Sequence, residues 1–340
     1  MKGWKSLLFT LLSAFFVWLF LRRVDLAGMG AVWGSMHWSY PLFFLLLMLP
    51  QYALRALRWG VLLKPFKPGV PFRSLWNYSL IGFMISYLLP GRLGEIIRPV
   101  LLAEKEGMKK SQTIATIVNE RLFDLLTILV MFTFYLAVAR NAASPVLSRL
   151  RTVALLLLPL VILVFFFILL ANHPRVFPWT EHLVRGLFRL LPRRWREQAV
   201  GFALHFIRAL RLDLGGRGMA AVAFLSLLHW AVILFSYWLL LRGFGIHPGL
   251  MPVVPFLAVV FVSAAVPTPG MAGSLDLAAA YALTGLFAVP EKTAAAFTIL
   301  FHSLILIVPI ALGLVALWHE GLSIRSLGRL RGKDELPAMR

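Results

Sequence analysis

Runs of about 20 apolar residues recur along the chain, each long enough to cross roughly 30 Å of hydrocarbon as a helix. The clearest are Ser6–Leu21, Tyr40–Leu63, Thr113–Ala139, Thr152–Ala171, Met219–Leu241 and Thr293–Trp318. Of the 340 residues 60% are hydrophobic and only 14% charged, too few charges to clothe a water-facing surface of that size. The chain therefore reads as an all-α integral membrane protein with about six transmembrane helices and no soluble domain of any size.

The net charge of +20, from 34 Lys and Arg against 14 Asp and Glu, would suggest nucleic acid in a soluble protein. Here the basic residues lie in loops between apolar spans, the pattern of cytoplasmic loops beside anionic headgroups, so membrane lipids and not nucleic acid are the expected partners. There are no cysteines, which excludes disulfides, thiol chemistry and thiolate metal sites. Lys2 and Lys5 precede the first apolar run as in a signal peptide. The run continues into Arg22-Arg23-Val24-Asp25 without a small-residue cleavage site, so an uncleaved first span is expected.

The stretch 173–218 carries nine arginines, among them Arg185, Arg193, Arg196 and Arg208, and is placed in the cytoplasm as a basic linker. Its later part, Arg194–Leu214, fits an amphipathic helix on the membrane surface or a solvated linker. The tail 319–340 is basic too, so both termini are expected in the cytoplasm of a bacterial-type plasma membrane.

This orientation creates a conflict around Ser74–Ala103. The basic segments Lys64–Arg73 and Lys105–Lys110 both belong on the cytoplasmic side, yet the apolar stretch between them is interrupted by Pro90-Gly91-Arg92-Leu93-Gly94-Glu95 and Arg98. A re-entrant hairpin turning at Pro90 resolves it, provided that protein or a wet cavity covers the turn. The same reasoning applies to Met251–Val289, broken at Pro267-Thr268-Pro269-Gly270-Met271-Ala272-Gly273 and entered from the opposite side. At an offset of about 180 residues, Trp59 matches Trp238, Pro68-Gly69 matches Pro248-Gly249, Gly91 and Gly94 match Gly270 and Gly273, and Thr113 matches Thr293. The expected organisation is a single transmembrane domain, 1–318, with a first repeat over about 40–139 and a second over about 219–318. Two units of helix, broken hairpin and helix that start from opposite sides form an inverted-topology repeat, an arrangement that places a transporter's site at mid-membrane.

Charged groups within spans cost at least ~2.5 kcal/mol each on insertion scales and mark candidate sites. Arg55 and Arg58 lie one turn apart. Arg92, Glu95 and Arg98 have i, i+3 spacing that would share one helix face, and Glu120 and Asp124 share another with Arg121 between them. Guanidinium forks match phosphate oxygens, and the glycines at 91 and 94 would let backbone N–H groups approach an anion. One reading is a phosphate-headgroup site built from Arg58, Gly91, Arg92, Gly94, Arg98 and Arg121, with Glu95, Glu120 and Asp124 as charge partners or proton exchangers. The other is that Arg92 pairs with Glu120 or Asp124 to hold the hairpin in place. Arg55 and Arg58 also fit ordinary snorkelling at the interface. In the second hairpin Asp276 is the one acid, with His229 and His302 on flanking spans as packing residues or a proton site. Neither a metal nor a cofactor is expected. No Ser-His-Asp signature, Walker loop or His-Glu-x-x-His motif occurs, so the chain is not expected to be an enzyme.

Pro90-Gly91-Arg92-Leu93-Gly94-Glu95-x-x-Arg98, followed by Asn119-Glu120-Arg121-x-x-Asp124, resembles the flippase-like transmembrane domain of lysylphosphatidylglycerol synthases, which also occurs alone in small membrane proteins. Arg58-Trp59 and Pro267-x-Pro269-Gly270-x-x-Gly273 fit the same pattern, and the resemblance spans about Met1 to Trp318. It implies movement of phospholipids or lipid-linked sugars between leaflets, in some members as homodimers. Asp276 stands where the family often has Glu, and His302 is the nearest residue to an Arg common on the last helix. The synthase's cytoplasmic aminoacyl-transferase domain is expected to be absent, since 22 residues follow Trp318. The rival expectations are an intramembrane enzyme acting on a lipid headgroup, with an acid of the cluster as general base, and an adaptor that recruits a lipid-modifying partner through the basic linker.

Overall fold

The computed structural model describes residues 26–89, 92–138, 148–149, 151–152, 155–156, 159, 162–163, 177–190, 193–210, 213–264, 266 and 268–322. Among them the regular structure is helical: α1 (Leu26–Ser35), α2 (Ser39–Leu63), α3 (Phe72–Leu88), α4 (Gly94–Glu106), α5 (Lys110–Val138), α6 (Phe177–Leu187), α7 (Arg193–Leu210), α8 (Gly215–Gly243), α9 (Val253–Ser263), α10 (Ser274–Phe287) and α11 (Glu291–His319). Helices α2, α5, α8 and α11 are long and apolar enough to cross a membrane, and they coincide with four of the six expected spans. The expected span Ser6–Leu21 lies outside the described residues, as does Thr152–Ala171 except at scattered helical positions.

Local chemistry explains the breaks between helices. Pro71 and Pro290 stand immediately before α3 and α11, where a missing N–H takes nothing from the helix. Gly107, at φ 65°, adopts the left-handed conformation that closes α4, and the Met108 N–H returns to the Ala103 carbonyl at 2.8 Å. At the start of α10 the Asp276 carboxylate accepts the Gly273 N–H at 2.8 Å, so a residue of the first turn caps its own helix.

Helices α2 and α8 run antiparallel. The N–H of His37, before α2, reaches the Gly243 carbonyl at the end of α8. Near the other end Arg58 donates to Ser226 at 3.0 Å, and Leu62 packs on Val222. Helices α3 and α4 form one hairpin, closed at its open end by Lys67 and Glu106 at 2.7 Å. Helices α9 and α10 form the other, with Phe256 near its start facing Phe287 at its end.

The two hairpins open toward opposite ends of the molecule. Glu320, after α11, accepts hydrogen bonds from Asn77 and Tyr78 on α3 at 2.7 and 3.1 Å and lies 3.4 Å from Lys105 of α4. Burial alone would raise the Glu320 carboxyl, but the Asn77 and Tyr78 hydrogen bonds and the Lys105 ammonium hold it below the usual carboxylate range. At the far end Phe297 of α11 meets Phe244 after α8 and Phe256 of α9 edge to face. Hairpin arms of 11 to 17 residues reach about 16–25 Å at 1.5 Å per residue, so the tips meet inside the bundle. Gly270 faces the Tyr87 carbonyl there, and the Arg92 guanidinium lies 3.9 Å from the Met271 sulfur.

The packing repeats with the same correspondence. Helices α2 to α5 match α8 to α11, each hairpin lies beside the long helix that follows it, and α3 against α11 is paralleled by α9 against α5. Close approach depends on small residues. A Cβ on Gly94 would collide with the Gly82 carbonyl oxygen, and one on Gly313 would collide with Met84. The linker folds as α6 and α7, joined by buried Val184, Val200 and Leu204. Helix α7 matches the expected Arg194–Leu214 helix and packs on α5, with Asn119 donating to the Leu210 carbonyl at 3.3 Å.

Candidate functional site

All eight charged candidates of the first repeat converge where α2, α4 and α5 meet the hairpin tips. The deepest part is a neutral core. Glu120, fully buried on α5, receives Arg98 Nη2 at 2.7 Å on one oxygen and Arg55 Nη2 at 3.0 Å on the other, with Arg58 Nη2 3.5 Å away. Asp124 receives Arg58 Nη1 at 2.7 Å and the Trp230 indole N–H at 3.2 Å. Arg98 lies 4.5 Å above the Trp59 ring, and Arg55 4.2 Å above Phe83. Glu120 is thus held by guanidinium groups supported on aromatic faces, and Asp124 by a guanidinium and an indole N–H, so that each buried acid is paired and hydrogen-bonded.

A second, more open group lies at the tip of the first hairpin. Glu95 receives Arg121 Nη2 at 2.6 Å and Arg92 Nη1 at 3.2 Å, and the three side chains keep 25–32% of their surface exposed. They line a cavity of about 200 Å³ together with Arg55, Asp124 and His229. Much of the remaining lining is apolar: Phe44, Met48, Leu257, Val260 and Ile305 come from both repeats. His229 is buried there, and its Nδ1 has no hydrogen-bond partner among the described residues.

This geometry revises several expectations. Arg58 and Arg98 do not line the cavity; they are committed to Asp124 and Glu120. Arg92 pairs with Glu95 and not with Glu120 or Asp124, and Arg98 is the residue that ties the hairpin to Glu120. Arg92 also precedes α4, at a left-handed φ of 52°, so it does not share a helix face with Glu95 and Arg98. Gly94 is packed against Gly82 and Ser86 of α3, and its small size serves that helix contact. Pro90, Gly91 and Pro267 lie outside the described residues. Pro269, Gly270 and Gly273 do form the second turn, with Gly270 and Gly273 at φ 60° and 78°.

Asp276 and His302 meet in the second repeat. His302 Nδ1 lies 2.7 Å from Asp276 and Nε2 2.8 Å from the Gly270 carbonyl, so the ring ties helix α11 to the second tip. Both neighbours are oxygen acceptors, a geometry fully satisfied only by a ring with both N–H protons. The pair is the structural counterpart of Glu95 with Arg121: in each repeat an acid near the tip binds a basic residue of the next long helix, at an offset of 181 residues. Arg92 and Met271, both left-handed and 179 residues apart, are likewise equivalent and touch.

The sequence reading puts Arg58 in the phosphate site and leaves Arg55 out; in the structure Arg55 lines the cavity and Arg58 is turned to Asp124, a choice set by the rotation of α2. Gln51, Tyr52, Tyr87 and Trp230 also contribute to the cavity wall. They stand within long helices, and no motif distinguishes them.

Residues 6–313 match the family described as the lysylphosphatidylglycerol synthase TM region. The chain is similar to a UPF0104 membrane protein of Methanocaldococcus jannaschii, 20% identical over 319 residues that cover 92% of this chain and 94% of that one. No solved structure matches it.

Proposed function

Because this chain belongs to the lysylphosphatidylglycerol synthase transmembrane-region family, we propose that it moves an anionic lipid between leaflets, its headgroup bound between the two hairpin tips. The observation that carries this reading is the divided chemistry of the cavity. Arg55, Arg92 and Arg121 line it together with apolar Phe44, Leu257 and Ile305. An amphiphile with a phosphate at one end and hydrocarbon at the other suits such a mixed lining, and the guanidinium fork suits phosphate oxygens. The position between inverted hairpins suits alternating access, since either hairpin can open the cavity to its own side.

The same contacts favour transport over chemistry. Glu95, Glu120 and Asp124 are each paired with at least two arginines, which leaves none of them as an available general base. The chain carries no nucleotide motif, so movement would be passive or ion-coupled. In the proposed orientation the first hairpin opens to the cytoplasm of a plasma membrane.

The test is reconstitution into liposomes containing fluorescent phosphatidylglycerol, with the outer leaflet bleached by dithionite. The protein should make inner-leaflet label accessible, and Arg121→Gln should slow that process. A rate equal to that of protein-free liposomes, or one unaltered by Arg121→Gln, would overturn the reading.

A further inference from the structure

The charge of the site carries a statement about its ligand, which rests on the transport reading above. The deep acids Glu120 and Asp124 and the deep arginines Arg58 and Arg98 balance, with side chains at most 3% exposed. What faces the cavity beyond them is Arg55, Arg92, Arg121 and Glu95, side chains that keep 15–32% of their surface. Among the described residues, three guanidinium groups against one carboxylate leave an excess of two positive charges, and guanidinium stays protonated throughout the accessible pH range. In water this excess would be screened. Here Phe44, Phe83, Trp230 and Leu257 enclose it, where an unpaired charge is costly.

We infer that the cavity selects a dianionic phosphate headgroup, a lipid phosphomonoester or diphosphate, over the monoanionic phosphodiester of ordinary phospholipids. A monoanion leaves one arginine uncompensated, whereas a dianion closes the charge balance. The donors are arranged for it. Arg92 and Arg121 share one carboxylate and have N–H groups to spare, and the His229 Nδ1, unpartnered among the described residues, also lines the cavity as a further contact. The apolar wall requires that the phosphate be attached to hydrocarbon, so a lipid and not a free phosphate is the ligand.

The experiment presents the purified full chain in detergent with equal amounts of phosphatidic acid and phosphatidylglycerol of identical acyl chains. Retained lipid is counted by mass spectrometry at pH 8 and at pH 5. At pH 8 phosphatidic acid should be enriched roughly tenfold to a hundredfold, the worth of one added charge-assisted contact. At pH 5 the enrichment should fall toward parity, because a phosphomonoester loses its second charge near pH 6. Phosphatidylglycerol meets the same cavity at both pH values but has no second charge to lose, so it serves as the control. Arg92→Gln lowers the excess to one charge and should remove the preference while phosphatidylglycerol is still retained; Arg55→Gln gives a second route to the same charge. Glycerol 3-phosphate at equal concentration should not displace phosphatidic acid, and displacement would overturn the lipid as the source. Parity at both pH values would overturn the dianion inference and leave an anionic-lipid site standing. Retention of neither lipid would overturn the transport reading beneath it.

Discussion

Arg92 and Arg98 stand six residues apart in one motif, and the structure gives them opposite surroundings. Arg98 is 2% exposed and bound to Glu120, whereas the Arg92 side chain is a third exposed at the cavity and shares Glu95 with Arg121. Glu120 is the anchor of the deep cluster, since three arginines depend on its charge. Glu120→Gln keeps its shape and strips that charge, so it should lower stability by about 3–5 kcal/mol, the cost of breaking a buried pair. Arg92→Lys keeps a charge at an open position but loses the planar fork, so transport should fall markedly while thermal unfolding in detergent stays within about 1 kcal/mol of the parent. Equal destabilisation by the two substitutions would contradict the division into core and cavity. Sequence made the cluster legible because Arg and acids within apolar spans are conspicuous. It did not say which arginine meets which acid, since that depends on the left-handed turn at Arg92 and on helix rotations set by packing.

At the scale of elements, the first hairpin is defined by how closely α3 and α4 approach. Gly94 meets the Gly82 carbonyl and Ser86, and a Cβ on Gly82 would lie 2.6 Å from the Arg98 Cβ. The crossing therefore also sets where Arg98 reaches Glu120. Gly94→Ala should push the arms apart and cost about 1–3 kcal/mol by overpacking. Gly249→Ala, whose Cβ would find Pro252 at an ordinary 3.5 Å, should stay within about 0.5 kcal/mol. Thermal unfolding of both variants in detergent checks the contrast, and an unshifted Gly94→Ala would remove the close crossing from the account. The break between the arms was readable from Pro90-Gly91, because proline and glycine end helices wherever they occur. The task of Gly94 was not, because a glycine that packs and a glycine that cradles an anion look alike in sequence.

At the scale of the whole molecule, the repeat links fold to function. Glu95 with Arg121 and Asp276 with His302 occupy matching places, yet one pair faces a charged cavity and the other ties its own turn together. The repeat was visible in sequence as ordered landmarks at a nearly constant offset of about 180 residues; the chemical inequality of its halves appears only once the side chains are placed. Inversion itself has a direct consequence. Both arms of the first hairpin end near Lys67, Glu106 and Glu320, and both arms of the second end near Phe256, Phe287 and Phe297. The loop holding Lys109 follows the first of these ends, and the loop holding Gly249 precedes the second, with the Trp238 indole bonded to the Pro248 carbonyl at 3.0 Å. Helices of 25 to 29 residues, about 38–44 Å long at 1.5 Å per residue, separate the two ends. That exceeds the ~30 Å of hydrocarbon, so the two loops must emerge in different compartments. The chain has no native cysteine, which makes single substitutions clean reporters. In intact cells an impermeant maleimide should label Gly249→Cys and leave Lys109→Cys untouched until the membrane is opened, as the excess of basic residues around Lys64–Arg73 and Lys105–Lys110 requires of a cytoplasmic face. The reverse pattern would invert the orientation and keep the repeat; labelling of both positions from one side would end the inverted repeat altogether, and with it the argument that either hairpin can open the cavity to its own side.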